Sequence, residues 1–320
     1  MASFIRYLLA ALVAAGAPAA HAAYPDKPIR LVVGFPPGST ADLLARVVGS
    51  KLAEQLGQPV IVDNRPGAGS SIAADTVARS PADGYTLLVS TTAQVINPSM
   101  SPNLKFSFSK DLVPVLLMAQ NPVVLIAPIR SPANSVRDLV SAARAAPGKL
   151  MFASSGNGTF THLYGELFAQ SADIKLTHVP YKGSTPALTD VLSGVVDMSF
   201  TPLTPVIGQI KSGKLKALAV VGRSRMVLLP DVPTFAEAGI TGLDSTLWFG
   251  LNAPTGTPKA VLDRLSTEVQ RALNLPDVKA QLATQGIDVS IAGAAQFGEL
   301  TVRELDRWER VVKTAGVKAD

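Results

Sequence analysis

Ile29-Arg30-Leu31-Val32-Val33-Gly34-Phe35-Pro36-Pro37-Gly38-Ser39-Thr40-Ala41-Asp42-Leu43-Leu44 decides the fold. Ile29 to Phe35 is an apolar run of strand length, broken by a Pro-Pro-Gly turn. Leu43, Leu44, Val47, Val48, Leu52 and Leu56 then recur at helical spacing and form one apolar face. Ser39 stands where a helix cap belongs, with Asp42 three positions on, as in a capping box. The segment reads as strand, tight turn and helix. With Asp42 holding the turn, the N–H groups of Gly38, Ser39 and Thr40 are expected to face a cleft at the carboxyl end of the strand. Free amides and the helix dipole both favour an anion there. The same residues also suit a capped βα turn with no ligand.

Working outward, Val60 to Asp63, a helix from about Ser71 to Arg79, and Thr86 to Ser90 complete a βαβαβ unit. An irregular, Pro-punctuated stretch from Asn97 to Pro114 separates it from a second unit. The strands expected there are Val123 to Ala127, Leu150 to Ala153, Thr177 to Tyr181, Met198 to Thr201 and Leu215 to Val221. Helices are expected to begin near Ser135, Thr159, Thr185 and Thr204. Another apolar segment, Trp248 to Ala253, precedes terminal helices at Pro258 to Leu273, Asp277 to Gln285 and Ala294 to Ala315. The fold class is therefore α/β: two lobes, each a mainly parallel sheet flanked by helices, with two crossing strands as a hinge. Lobe 1 is expected at 23–122 and 252–320, and lobe 2 at 123–251.

The first 22 residues read as a cleaved secretory leader. Arg6 lies in a short cationic region, Leu8 to Ala15 is an apolar run, and Ala20-His21-Ala22 is a small-x-small cleavage signal. That run is too short to cross a bilayer, which takes about 20 apolar residues. The expected location is the periplasm. The absence of cysteine excludes a lipoprotein anchor, disulfides and thiolate metal sites. The formal charge of +5, of which Arg6 in the leader supplies one unit, is diffuse, and only 6% of residues are aromatic. Neither feature suits nucleic acid.

A second strand-to-helix turn, Ser154-Ser155-Gly156-Asn157-Gly158-Thr159, precedes a helix carrying Leu163, Leu167 and Phe168. Its glycines allow close backbone approach and Ser154, Ser155 and Thr159 add hydroxyls, yet it is neither a Walker loop nor a dinucleotide fingerprint. Thr185-Pro186 and Thr204-Pro205 each read as a hydroxyl cap before a first-turn proline. Ligands in open parallel sheets lie outside the carboxyl ends of strands, where four such capped starts would gather. Each helix end contributes about 0.3 to 1 kcal/mol when exposed, so several must converge in a dry site.

Catalytic patterns are sparse. After the leader the histidines are His162 and His178, with no metal-binding spacing and no G-x-S-x-G elbow. His162, in the first turn of its helix, reads as loop-orienting, and His178 as packed within its strand. Lys182 precedes the Gly183-Ser184-Thr185 turn and faces either ligand or solvent. Phe35 is either a cleft wall or core. A serine hydrolase built on Ser154 or Ser155 with His162 is the competing reading from another class. No cofactor and no metal are expected.

These residues resemble the tripartite tricarboxylate transporter receptors, also called Bug or TctC-like solute-binding proteins. Tyr24-Pro25-Asp26-Lys27-Pro28-Ile29-Arg30, the Pro36-Pro37-Gly38 to Asp42 turn, Asn64-Arg65-Pro66-Gly67-Ala68-Gly69 and Asp83-Gly84-Tyr85-Thr86-Leu87 carry the resemblance in the first half. Ser154-Ser155-Gly156-x-Gly158-Thr159-x-x-His162-Leu163, Val179-Pro180-Tyr181-Lys182-Gly183, Leu229-Pro230-Asp231-Val232-Pro233-Thr234 and Ala253-Pro254-x-Gly256-Thr257-Pro258 carry it in the second. A monomer that binds a small mono-, di- or tricarboxylate or aromatic acid is expected, and the resemblance implies a Venus-flytrap fold and a carboxylated ligand. It also implies delivery to the membrane permease subunits of a tripartite tricarboxylate transporter, or presentation to a signalling receptor as an alternative.

The resemblance points to the loops Pro36 to Asp42 and Ser154 to Thr159, and the ligand-binding residues expected in all are Phe35, Pro37, Gly38, Ser39, Thr40, Asp42, Ser154, Ser155, Gly158, Thr159, His162, Lys182, Gly183 and Thr201. Two departures from the family pattern stand out. Ser39 replaces a second glycine and adds a hydroxyl. Thr201-Pro202 replaces a common Asp, removing a negative charge that an amine-bearing ligand would need.

Overall fold

The computed structural model describes residues 24–101, 104–244 and 246–317. The leader expected at 1–22 lies outside them. Two mixed α/β sheets carry the chain. The first has six strands in the order β11-β4-β10-β3-β1-β2. Its members are β1 (Ile29–Val33), β2 (Val60–Asn64), β3 (Thr86–Thr91), β4 (Leu112–Asn121), β10 (Leu247–Pro254) and β11 (Asp288–Gly293). The second has five strands in the order β7-β6-β8-β5-β9: β5 (Val123–Pro128), β6 (Met151–Ser154), β7 (Thr177–Pro180), β8 (Met198–Pro202) and β9 (Leu215–Val221).

The helices follow the alternation the sequence pattern demands. In the first half α1 (Thr40–Leu56), α2 (Ser71–Ala78), α3 (Ala93–Met100) and the single turn α4 (Phe108–Asp111) intervene. The second has α5 (Val136–Ala145), α6 (Phe160–Ala172), α7 (Ser184–Ser193) and the short α8 (Ile207–Lys211). The chain ends in α9 (Lys259–Asn274), α10 (Pro276–Thr284) and α11 (Ala294–Ala315). No helix among the described residues is long and apolar enough to cross a membrane.

Strand directions place the functional loops. β1, β2 and β3 run parallel to one another, and β10 is antiparallel to both β3 and β4. The carboxyl ends of β1, β3 and β4 therefore lie on one edge. The chain leaves that edge through Pro122 straight into β5. β5 is antiparallel to β8, and β6 runs parallel to β8, so β6 and β8 end facing the first sheet. The loops after β1 and β3 thus oppose those after β6 and β8 across the crossing.

Three strands depart from the sequence pattern, the edge strand β11 among them because nothing marked it. β4, Leu112–Asn121, occupies part of the stretch read as irregular. Pro114 lacks an N–H, and it sits opposite Asn252, where the β4/β10 register shifts. The return strand begins at Leu247, where it pairs with Asn121. Residues 247–251 therefore belong to the first sheet, five positions earlier than the expected boundary at 252. The second crossing is a turn-rich connection followed by this strand.

The core joins the halves. A buried cluster runs from Val32 and Leu88 through Leu117 and Val123 to Phe152, Tyr164 and Phe200. α11 spans both: Trp308 is fully buried and meets Tyr164 of α6 edge-on with ring centres 5.3 Å apart. Burying aromatic side chains of this size contributes several kcal/mol each, which fixes α11 against the second half.

Candidate functional site

The first loop is built around a buried carboxylate. Asp42 is 2% exposed, and its Oδ2 accepts the Gly38 amide at 2.8 Å. Arg46 engages it with both Nε (3.0 Å) and Nη2 (2.9 Å), and Asn64 donates to its other oxygen at 2.9 Å. Burial alone works to raise this carboxyl. The hydrogen bonds from Arg46, Gly38 and Asn64 outweigh it and leave Asp42 below the ordinary carboxylate range. Asn64 also donates to the Phe35 carbonyl at 3.0 Å, tying β2 to the turn. Ser39 caps α1 as expected, its hydroxyl accepting from the Asp42 amide at 3.3 Å.

The amides differ from the expectation. Gly38 N–H goes to Asp42 and Ser39 N–H to the Pro36 carbonyl at 3.2 Å, so the turn consumes both. The α1 donors left for an anion are the first-turn amides of Thr40 and Ala41, which no helical carbonyl can reach. Phe35 is half-buried and packs on the core cluster of the α1 side, while Pro37 and Gly38 (φ 82°) are exposed. Behind this turn Gly34 has no room for a side chain, because a Cβ there would fall 1.7 Å from Ser70 Oγ. Ser70 in turn accepts from Gln94 Nε2 at 2.6 Å.

The second loop is held by its own hydroxyls. Ser155 N–H donates to Thr161 Oγ1 at 2.8 Å, Thr159 Oγ1 to the Gly156 carbonyl at 2.8 Å, and Gly158 N–H to His162 Nδ1 at 3.0 Å. Ser154 is fully buried, and its hydroxyl lies 2.6 Å from His178 Nε2. Thr159 occupies the cap position of α6 without a side-chain capping bond, which again leaves first-turn amides, those of Phe160 and Thr161, facing outward.

Of the four helix starts expected to be hydroxyl-capped, only Ser39 caps in that way. α7 starts one residue early with Gly183 (φ 110°) as its cap, so Thr185 falls inside the helix. α8 starts at Ile207 after Val206, and Thr204 Oγ1 instead bonds the Gln285 carbonyl of the first half. Thr201 is buried beside Ser155, Thr161 and Ser199. Gly183 N–H closes on the Ser155 carbonyl at 3.1 Å. Lys182 is exposed, next to the edge strand β7.

Several groups joining the loops escaped the sequence reading. Asn121, buried at the end of β4, sets its side-chain amide 3.5 Å from Thr40 Oγ1. Met100, at the end of α3, lies against the second loop: a Cβ on Gly158 would fall 1.9 Å from its Cε. Asn64 could have been found from the Asn64-Arg65-Pro66-Gly67 motif, whereas nothing local marks Asn121 or Met100.

His162 and His178 stack with ring centres 3.7 Å apart and planes 6° from parallel, and Phe152 lies 4.9 Å from the second ring. Ser155 and His162 do not pair: Ser155 Oγ meets Thr161 at 3.0 Å, and His162 accepts from Gly158. Burial first, then the neighbouring His162, lowers His178 to about 4.

An imidazole held below its unfolded pKa of about 6.5 makes the folded state resist a proton that the unfolded chain accepts. Stability contributed by the uncharged ring is present above that pKa and is lost as the pH falls towards 4. Because the ring is only half buried, the expected loss is about 1 to 2 kcal/mol. Urea unfolding of wild type and His178→Phe at both pH limits measures it. Equal losses in the two proteins would refute it.

Residues 44–317 match the family model described as tripartite tricarboxylate transporter family receptor. Among solved structures the chain is similar to the periplasmic binding protein BugD, at 32% identity and TM-score 0.77, covering 93% of this chain and 100% of that one. It is similar at 34% identity and TM-score 0.79 to an R. palustris protein determined with adipate, covering 92% and 99% of the two chains. MatC from Rhodopseudomonas palustris with bound malate gives 32% identity and TM-score 0.76, covering 90% and 100%. The fold is that of the two-lobed periplasmic binding proteins, and the chain belongs to the tripartite tricarboxylate transporter receptors of the Bug/TctC type.

Proposed function

We propose that the chain, exported through its N-terminal leader, captures a small dicarboxylate between its lobes in the periplasm and presents it, as a monomer, to a tripartite tricarboxylate-type permease. The observation that carries this reading is the opposition of two helix N-termini, α1 and α6, across the crossing. Each retains first-turn amides that its own loop does not consume. One carboxylate is assigned to the Thr40 and Ala41 amides with the Ser39 and Thr40 hydroxyls. The other is assigned to the Phe160 and Thr161 amides with Thr159 and Thr201 at hand. Phe35, Pro37 and Gly38 wall one side, and Ser154, Ser155, Gly158 and Gly183 shape the other. Asp42 and His162 act behind these groups, and Lys182 at the rim.

Two separated anion sites suit a ligand with a carboxylate at each end, the chemistry that adipate and malate share in the relatives. Arg46 offsets the charge of Asp42, so the nearest carboxylate does not repel the guest. Binding both ends requires donors from both lobes, so the ligand favours the closed arrangement by its differential affinity.

Thermal denaturation with adipate, malate and a neutral sugar tests this. At a hundredfold excess over Kd a ligand contributes about 2.7 kcal/mol, expected as a rise in Tm of about 5 °C for a chain of this size. If the sugar raised the melting temperature and no organic acid did, the assignment would be wrong.

A further inference from the structure

The histidine stack fastens the second loop at two points. His178 Nε2 holds Ser154 at the loop's first residue, 2.6 Å away, and His162 Nδ1 accepts the Gly158 amide at 3.0 Å. The rings lie face to face at 3.7 Å, pressed on one side by Phe152 of β6. Glu166, one turn along α6, has a carboxylate oxygen 3.6 Å from His162 Nε2. It is the charged group set against the pair. β6 presents Phe152 and Ser154, β7 supplies His178 itself, and the loop presents an uncharged amide.

The Gly158 bond has one consistent proton arrangement: Nδ1 bare, with the His162 proton on Nε2 toward Glu166. Among the described residues no other group accepts the Gly158 amide; the glycine has φ 68°, and Met100 Cε lies 1.9 Å from where its Cβ would stand.

We infer that His162 is a positioning residue for ligand capture: its unprotonated Nδ1 fixes the Gly158 amide and so the loop beside α6, and a proton taken up at Nδ1 releases the loop and weakens carboxylate binding. The inference rests on the carboxylate reading above. The proton comes from solvent and becomes an N–H facing the Gly158 N–H, two donors where a donor and an acceptor had met. The hydrogen bond is lost, and no other bond forms or breaks. Two stacked imidazolium rings repel at this distance, so the pair takes one proton before it takes two. Burial first, and then the neighbouring His162, lowers the affinity of His178 for protons, so the His178 ring is uncharged at neutral pH.

The experiment compares wild type with His162→Asn. Asparagine retains an acceptor for the Gly158 amide and does not titrate. Calorimetric titrations with adipate and malate run from about pH 7.5 to about pH 4.5. Wild-type affinity is expected to fall faster than that of the variant, by up to about tenfold per pH unit once the pair charges, while the ligand's own titration is common to both. Identical pH profiles in the two proteins would overturn the inference.

A second readout needs no ligand. The Gly158 amide resonance in the ¹H–¹⁵N spectrum of the whole chain should shift with pH in wild type and stay fixed in the variant. A Gly158 amide that does not move in wild type also overturns it. A Gly158 amide that titrates in a protein binding neither acid would support the loop release and sink the dicarboxylate assignment instead.

Discussion

Asp42→Ala is expected to destabilise the protein by about 3 to 5 kcal/mol and to abolish measurable ligand binding. The change removes a fully buried carboxylate that four donors share: the Gly38 amide, two guanidinium nitrogens of Arg46, and Asn64. Bonds to a charged group contribute about 1.5 to 3 kcal/mol each, and leaving the Gly38 and Asn64 donors without a partner adds a desolvation cost. Arg46 is half exposed, so losing that partner leaves no buried charge; the cost falls on the lost bonds and the two orphaned donors, and the acid also supports the α1 N-terminus.

Asp42→Asn preserves shape and one acceptor, and should lose roughly half as much. Urea unfolding at neutral pH reads both variants, and a loss below about 1 kcal/mol for the alanine variant would show that the carboxylate does not organise this turn. The pH dependence has a definite sign. Asp42 is held below its unfolded value, so its contribution is complete above about pH 4 and disappears as the pH falls through the lower, folded value. The alanine variant should lack that acid limb.

The first βα turn was legible because most of what shapes it is local, Asn64 of β2 being the distant exception. Strand run, proline turn, Ser39 cap and Asp42 lie within fourteen residues, and each has a propensity that agrees with the others. The two-lobed α/β class followed from the alternation of apolar periods, and the structure reproduces it. What escaped was non-local or poorly patterned. β4 carries Pro114 and is apolar on both faces, so neither alternation nor helical period marks it. β11 is a short, half-exposed edge strand after Gly286, with little burial to impose a pattern.

The same division runs through the site. Ser39 and Asp42 were found from spacing, but Asn121 and Met100 reach the site through tertiary packing alone. The expected hydroxyl caps at Thr185 and Thr204 fail for a related reason. A glycine at positive φ starts α7 earlier than proline spacing suggests, and Thr204 finds a carbonyl in the other half of the molecule, a partner that no local rule supplies.

That the hydroxyls of Ser154, Ser155, Thr159 and Thr161 mostly bond one another and the loop backbone changes the energetic picture of capture. They are already committed before a ligand arrives, so they contribute rigidity more than direct contacts. A loop fixed in advance loses less conformational entropy on binding, which strengthens affinity without adding donors. The ligand's own attraction then falls to the few amides left over, and small displacements of the loop backbone should matter more than deletion of any single hydroxyl.

Gly158→Val tests that consequence most severely and should weaken dicarboxylate binding about a hundredfold while leaving the chain folded. Gly158 has φ 68°, in the left-handed region where a side chain costs about 1 to 2 kcal/mol and a β-branched one more. Its Cβ would also fall 1.9 Å from Met100 Cε and 2.6 Å from the sulfur. The thioether is flexible and can swing aside, so the backbone contributes the larger part. Together these reach about 3 kcal/mol, or two decades in Kd.

Adding Met100→Ala should therefore restore only the smaller, steric share, about three- to tenfold on the scale of one displaced contact. Calorimetry on the two single variants and the double variant closes the cycle. Full rescue by Met100→Ala would mean that the left-handed backbone at Gly158 is not required for capture. Wild-type affinity in Gly158→Val would place the carboxylate site away from this loop altogether, leaving the first-turn amides of α1 to act without their opposite number.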